Sequence, residues 1–254
     1  MLNVLRIAVA VLCFALLSPA LVQAQQEPTV YTFVAEWGVN RADWDAWWAS
    51  FEKNTKPILE RHSANGNVIG WAAYSVLVHD DSGITHGVYW SSTSYAALNR
   101  ALDDLRKAPP TAPGITKHRD YMVRSIVHNA KASAPTTGYL YVSAFQVQPG
   151  KGGQWRELWE KYNKPSMDAN MATGNLLAYS VDVEEVHTLD PTIRWVVSIS
   201  PSAEADDRAN AADEAASQKR SPEERRAIAA AFADVLVAGT HRDFYAKILA
   251  YWHK

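Results

Sequence analysis

The chain has 254 residues, a formal net charge of −2 and a single cysteine. So small a charge argues against a nucleic-acid-binding protein, because phosphate binding needs a concentrated basic face. One cysteine excludes an intramolecular disulfide scaffold. The ten Trp and eleven Tyr residues can serve cores, and they can also line a small-molecule pocket.

The first 24 residues predict a secretory signal peptide. Arg6 supplies the positive start, Ile7–Leu17 the short apolar segment, and Val22-Gln23-Ala24 a cleavage site between small residues. A membrane anchor is the alternative, but Ser18-Pro19 interrupts the apolar segment before the roughly 20 residues that a span needs. Cleavage would remove Cys13, the only cysteine. We therefore expect a bacterial periplasmic or secreted protein with no membrane association after cleavage.

The remaining chain repeats itself. A shift of 108 residues aligns Tyr31–Ser92 with Tyr139–Ser200 without a gap, and 15 of the 62 aligned pairs are identical. Self-similarity at this period indicates two copies of one domain. We expect a first repeat at 25–129, a polar linker at 130–138 and a second repeat at 139–254.

Each repeat reads strand, helix, strand, strand, helix, strand. The strands of the first repeat are predicted at Tyr31–Val39, Val68–His79, Thr85–Ser91 and Tyr121–His128. Those of the second are predicted at Tyr139–Val147, Leu176–His187, Ile193–Ser200 and Phe244–Trp252. The first helix of each copy carries a Trp stripe that suits a core under the sheet. The second repeat has a helical insertion near 201–238, where Ser221-Pro222-Glu223-Glu224 is a strong helix start.

This duplicated βαββαβ order, with a Trp-rich first helix ending in Lys-Pro (Lys56-Pro57 and Lys164-Pro165), resembles the dimeric α+β barrel superfamily of ferredoxin-like domains. This superfamily includes stress-responsive barrel proteins, antibiotic-biosynthesis monooxygenases, and NIPSNAP- and EthD-like domains. The resemblance implies an α+β fold in which the two repeats form an intramolecular barrel around a small-molecule cavity. Because one chain supplies both halves, we expect a monomer or a weak homodimer.

Alternation along the strands suggests which side chains enter the barrel. In the second repeat Leu140, Val142 and Ala144 are aliphatic and suit packing against helices, so we expect the opposite set to point inward. The interior candidates of the first repeat are Tyr31, Phe33, Trp37, Tyr74, His86, Trp90, Arg124 and His128. Those of the second are Tyr139, Tyr141, Phe145, Asp182, Glu184, Arg194, Lys247 and Tyr251.

Two equivalent positions carry the catalytic hypothesis. His86 could move a proton near neutral pH, and Arg194 could hold a carboxylate or an enolate. Arg124 and Lys247, also equivalent, would suit an anionic ligand, or they could pair with Asp182 or Glu184. The expected function is ligand binding in the barrel interior, with cofactor-free oxygenation or isomerisation as the chemistry if the protein is an enzyme. A non-catalytic binding or stress-related barrel is the alternative.

We predict no cofactor and no metal site. The matched histidines His79 and His187 could share a metal or haem, but they lack neighbouring ligands at metal spacing. A haem protein is therefore only a third alternative. The two His-Arg-Asp triplets, at His118 and His241, lack the asparagine and the glycine-rich loop of a kinase, and we assign them to turns.

Overall fold

Eight antiparallel strands close into a barrel. The structure, a computed structural model, describes residues 28–78, 81–109 and 113–254. The strands are β1 (Val30–Val39), β2 (Gly70–Val76), β3 (His86–Ser92), β4 (Ile115–Ala130), β5 (Ser133–Gln146), β6 (Ala178–Glu184), β7 (Ile193–Ser200) and β8 (Arg242–His253). They are arranged in the closed order β1-β3-β2-β8-β5-β7-β6-β4.

The two halves of the barrel repeat one strand order. The first half runs β4-β1-β3-β2 and the second runs β8-β5-β7-β6, so each matches the ferredoxin-like plan. The halves meet at two seams, where β2 pairs with β8 and β4 pairs with β6. Because every strand is paired on both sides, the barrel leaves no open edge along these strands. The predicted α+β barrel class is confirmed.

Seven α-helices accompany the barrel in the part of the chain described. They are α1 (Trp44–Ser50), α2 (Lys56–Ala64), α3 (Tyr95–Arg106), α4 (Gly152–Tyr162), α5 (Lys164–Thr173), α6 (Ala203–Gln218) and α7 (Pro222–Val235). A π-helical turn, Phe51–Thr55, joins α1 to α2. The helix start predicted from Ser221 is present as a capping box, in which Ser221 and Glu224 each satisfy a backbone N–H of the other. The predicted insertion thus contains α6 and α7.

The tryptophan stripes lie between helices and sheet. Trp47 and Phe51 are fully buried beside Trp71 of β2, and Trp155 and Trp159 are buried in a separate cluster of the second half. Burying a large apolar side chain contributes about 2–3 kcal/mol. These residues therefore hold the helices on the outer face of the barrel.

Two predicted segments differ from the structure. Strand β4 begins at Ile115, because β1 pairs with it along its whole length as far as Val39. The predicted linker is mostly strand: β4 continues to Ala130, and β5 starts at Ser133. Its polar composition suggested a linker, but β8 offers backbone partners, and the segment pairs with it through two register shifts. The predicted signal peptide and His79 lie outside the described residues.

Candidate functional site

The barrel encloses a cavity of about 420 Å³. Its wall is mainly apolar and comes from both halves. The principal apolar lining residues are Val34, Val123, Leu140, Val142, Trp195, Val197, Ile199 and Phe244. The cavity reaches solvent at one end, because Arg119, Leu189 and Arg242 line it and are also exposed.

Aromatic residues that we predicted inside the first half face the helices instead. Tyr31, Phe33 and Trp37 pack in the helix-facing core, where Phe33 stacks on Trp90 at 4.7 Å and Tyr31 contacts Tyr95. The intervening residues of β1 line the cavity. The predicted orientation was therefore reversed along this strand, because the Trp-rich helices take the large aromatic partners and leave smaller side chains to the interior.

The same reversal holds in the second half. Tyr139, Tyr141 and Phe145 of β5 point outward, whereas the alternate aliphatic residues of that strand line the cavity. Lys247 also lies outside, with its Nζ 4.1 Å from the ring centroid of Tyr139. Burial and a hydrogen bond with Asp243 raise the pKa of Tyr141 to about 12. The predicted interior positions of these residues are wrong.

The predicted catalytic pair is not assembled. His86 is buried between the helices and the sheet, with its ring 4.5 Å from that of Trp47, and its Nδ1 is 3.0 Å from the Thr85 hydroxyl. Arg194 lies outside the second half, where its guanidinium donates to the backbone carbonyls of Pro191 and Ile193. Neither residue lines the interior cavity, although other residues of β3 and β7 do, so the two side chains do not act together on a molecule inside the barrel.

The other predicted charged residues have structural partners. Arg124 donates from Nε to Glu185 at 2.9 Å on the outer side of β4. Glu184 is buried and closes the β6–β7 turn, because its Oε1 accepts from the backbone N–H groups of Thr188 and Leu189. His187 is exposed in that turn.

Tyr74 does lie inside the barrel, as predicted, in a cluster centred on Glu36. Its hydroxyl donates to Oε1 of Glu36 at 2.7 Å, and Nε of Arg119 donates to Oε2 at 2.5 Å. Glu36 is only 2% exposed. Burial, together with the Glu36 carboxylate, holds the pKa of Tyr74 and that of Tyr121 well above the usual range. This cluster sits beside the exposed end of the cavity and fixes the buried carboxylate with donors.

Asp182 also faces the interior, as predicted. It is 6% exposed, and its Oδ2 accepts a hydrogen bond from the Ser180 hydroxyl at 2.8 Å. Its Oδ1 is buried and has no hydrogen-bond partner among the described residues. Burial raises the pKa of Asp182 to about 6, although the neighbouring Ser125 and Ser180 hydroxyls act in the opposite direction. The result is a carboxyl group that changes charge near pH 6.

Two tyrosines and two histidines also contribute to the polar lining. The Tyr251 hydroxyl is buried and, within the described ranges, unpartnered. Tyr89 lies near both Tyr251 and Asp182, and burial raises its pKa. Burial and the neighbouring His253 lower the pKa of His128 to about 4, so this imidazole is neutral at physiological pH. The ring centroids of His128 and His253 are 5.5 Å apart.

Sequence reasoning placed Tyr74, His128, Asp182 and Tyr251 inside but missed Glu36, Tyr89, Arg119 and Tyr121. A usable signal existed for Glu36, which is the acidic residue of an otherwise apolar strand. Arg119 was set aside with its His-Arg-Asp triplet as part of a turn, whereas it belongs to the extended β4.

The described residues hold no group of three or more His, Cys, Asp or Glu side chains arranged to bind a metal ion. Within the same residues, none of the helices has both the length and the apolar character of a membrane span.

Solved structures share this architecture at low sequence identity. A "putative monooxygenase" from Fusobacterium nucleatum subsp. nucleatum aligns with a TM-score of 0.62 at 9% identity, covering 90% of this chain and 96% of its own. A second "putative monooxygenase", from Lactobacillus acidophilus, has a TM-score of 0.59 at 10% identity, covering 89% and 96%. An anthrone oxidase-like protein is more distant, with a TM-score of 0.48 at 11% identity, covering 90% and 94%.

No protein-family model matches the sequence, and no curated protein matches it. The fold is therefore what the neighbours share with this chain. It is a dimeric α+β barrel fold with two ferredoxin-like halves, built here from one polypeptide.

Proposed function

We propose that the protein binds a small, mainly apolar aromatic molecule inside the barrel. The observation that carries this proposal is the cavity of about 420 Å³ enclosed by both halves. Its size falls within the range of small-molecule sites, which are mostly apolar with a few polar groups that orient the ligand. A barrel of eight strands can fill its interior with side chains, so a hollow lined by Val, Leu and Ile leaves room for a ligand.

The polar groups suggest how the ligand is oriented. Glu36 is fully engaged by Tyr74 and Arg119, whereas Asp182 and Tyr251 each present an unpartnered atom within the described structure. A buried polar atom without a partner costs free energy that a bound ligand can recover. We infer that the ligand enters past Arg119 and places its polar group near Asp182.

If the protein is an enzyme, cofactor-free oxygenation or isomerisation is the chemistry we propose. Two solved structures with this fold are described as putative monooxygenases, which supports oxygenation. Within this barrel Asp182, rather than His86, is the group placed to accept a proton from a bound molecule. Non-catalytic binding is the alternative, and turnover of an identified ligand distinguishes the two. Export to the periplasm or medium, and a monomeric or weakly dimeric state, remain part of the proposal.

Native mass spectrometry of protein purified from its own compartment tests occupancy, since a carried-over ligand would appear as an added mass. Calorimetric titration with 2-naphthol tests the cavity itself. We expect saturable binding that Val142→Phe, which fills the cavity, weakens at least tenfold. Ser198→Phe adds a ring to the outer face of β7 and serves as the matched control. Equal affinity in both variants, or no binding by the parent protein, would refute the proposal. A Soret band in the purified protein would favour haem binding instead.

A further inference from the structure

The interior of the barrel contains an unsatisfied hydrogen-bond acceptor at a defined place. Asp182 projects from β6 into the cavity, and one of its two carboxylate oxygens, Oδ2, is held by Ser180. The other, Oδ1, is buried and makes no hydrogen bond of normal geometry with a described residue, although the Ser125 hydroxyl on the paired strand β4 also lies close to the carboxyl group. An ionised carboxylate has only acceptor sites, so the missing partner must be a donor.

The surroundings of Oδ1 narrow the class of donor. The lining of the cavity is aliphatic and aromatic, and Trp195 and Phe244 contribute rings to it. An ammonium or guanidinium ligand would lose most of its hydration on entering such a space. A neutral hydroxyl on an aromatic ring loses far less, and its ring matches the apolar wall.

A second unpartnered atom, the hydroxyl oxygen of Tyr251, also favours a ligand with a hydroxyl group. Tyr251 of β8 lines the cavity and its hydroxyl is buried without a partner among the described residues, with Tyr89 of β3 close to both Tyr251 and Asp182. A ligand hydroxyl can donate to Asp182 while its oxygen accepts from a tyrosine, because a hydroxyl has one donor and two acceptor sites. An ether keeps the acceptor sites but loses the donor.

We propose that the cavity selects aromatic molecules carrying a hydroxyl group, and that Asp182 Oδ1, in the ionised carboxylate, accepts the hydrogen bond from this hydroxyl. The inference rests on the proposed binding function and names its ligand class. Hydrogen bonds to a charged acceptor are about twice as strong as neutral ones, and leaving the buried carboxylate unpaired adds a further cost. Selection should therefore depend on the charge of Asp182.

Two probes of nearly equal size test the inference. The calorimetric affinities of 2-naphthol and 2-methoxynaphthalene are compared between about pH 4.5 and pH 8, a range that spans the titration of Asp182. We expect 2-naphthol to bind about tenfold more tightly at the upper pH, and the preference to shrink below about threefold at the lower pH. Asp182→Asn, which keeps the shape of the side chain, should remove the pH dependence of the preference. Asp120→Asn, an exposed change outside the cavity, should retain it.

The outcomes separate the inference from the proposed function. Equal affinity of the two probes at all pH values, with binding still weakened by Val142→Phe, overturns the inference and leaves the binding function standing. A preference for 2-naphthol that survives unchanged in Asp182→Asn also overturns it. Absence of binding by either probe overturns both.

Discussion

Tyr74 reaches Glu36 across an intervening strand. Both residues pair with Gly87 of β3, Glu36 from β1 on one side and Tyr74 from β2 on the other. The Tyr74 ring lies over Gly87, and a Cβ added at position 87 would stand 2.2 Å from Cζ of the ring. The absence of a side chain at Gly87 is what allows the 2.7 Å hydrogen bond between Tyr74 and Glu36.

We predict that Gly87→Ala displaces the Tyr74 ring and breaks this hydrogen bond. The loss of a bond to a buried carboxylate, together with overpacking, should lower the free energy of unfolding by about 1–3 kcal/mol. Urea unfolding measures the change. Gly153→Ala is the control, since an added Cβ there meets no atom within 4 Å. Equal stabilities of the two variants would show that the Tyr74 ring does not need the space above Gly87.

A second prediction concerns the buried carboxyl group. The pKa of Asp182 in the folded protein is raised to about 6. The folded state therefore holds the proton more tightly than the unfolded state, which adds to the free energy of unfolding. This stabilisation is fully present below about pH 4 and is lost as the pH rises through about 6. Asp182→Asn should consequently raise the free energy of unfolding at pH 7.5 by about 1–3 kcal/mol, with the gain vanishing near pH 4.

Denaturant midpoints over this pH range measure the Asp182 effect. Asp120→Asn, at an exposed carboxylate paired with His118, should give no comparable gain. A lower free energy of unfolding for Asp182→Asn at pH 7.5 would contradict the prediction. It would mean that the ionised carboxylate is stabilised by hydrogen bonds in the folded protein.

The third prediction concerns acid sensitivity at the opposite end of the cavity from Glu36. The pKa of His128 is lowered to about 4, and that of the neighbouring His253 is lowered as well. A histidine that stays neutral when folded contributes stability that is present above its unfolded pKa of about 6.5 and is lost as the pH falls toward 4. His128→Gln should therefore reduce the loss of stability between about pH 6.5 and pH 4. An unchanged pH profile would contradict the depressed pKa.

The fourth prediction separates packing from binding. His86 lies against Trp44 and Trp47 on the helix side of β3, with ring centroids 5.1 and 4.5 Å away. We expect His86→Ala to lower the free energy of unfolding by about 1–3 kcal/mol, as core truncations do, and to leave the affinity for 2-naphthol within twofold of the parent. A tenfold loss of affinity for 2-naphthol with an unchanged free energy of unfolding would contradict this prediction and would show that His86 contributes to ligand binding.

The sequence predicts the barrel well because two patterns agree. One is the internal repeat, and the other is the succession of strand and helix periodicities within each copy. The 108-residue shift relates β1 to β5 and β3 to β7, and the same strand order appears in both halves. The order of strands and helices along the chain follows from hydrophobic periodicity, which is local. The extension of β4 back to Ile115 does not, because it depends on pairing with β1.

The inward face is harder to predict from sequence than the strands themselves. Alternation divides Tyr139, Tyr141 and Phe145 from Leu140, Val142 and Ala144 correctly, but it does not say which set faces the helices. In this barrel the helices carry Trp47, Trp155 and Trp159 and pack on large partners, so the smaller set encloses the cavity. Partners brought together from separate strands, such as Glu36 and Arg119, require the barrel register.

Ligand binding inside the barrel is tested most directly by a crystal structure of the protein soaked with 6-bromo-2-naphthol, with the bromine located by its anomalous signal. We expect one dominant bromine site inside the barrel, with the naphthol oxygen within hydrogen-bonding distance of Asp182 Oδ1. Bromine sites confined to the outer surface at saturating ligand, with the space between Val142 and Tyr74 empty, would contradict this expectation.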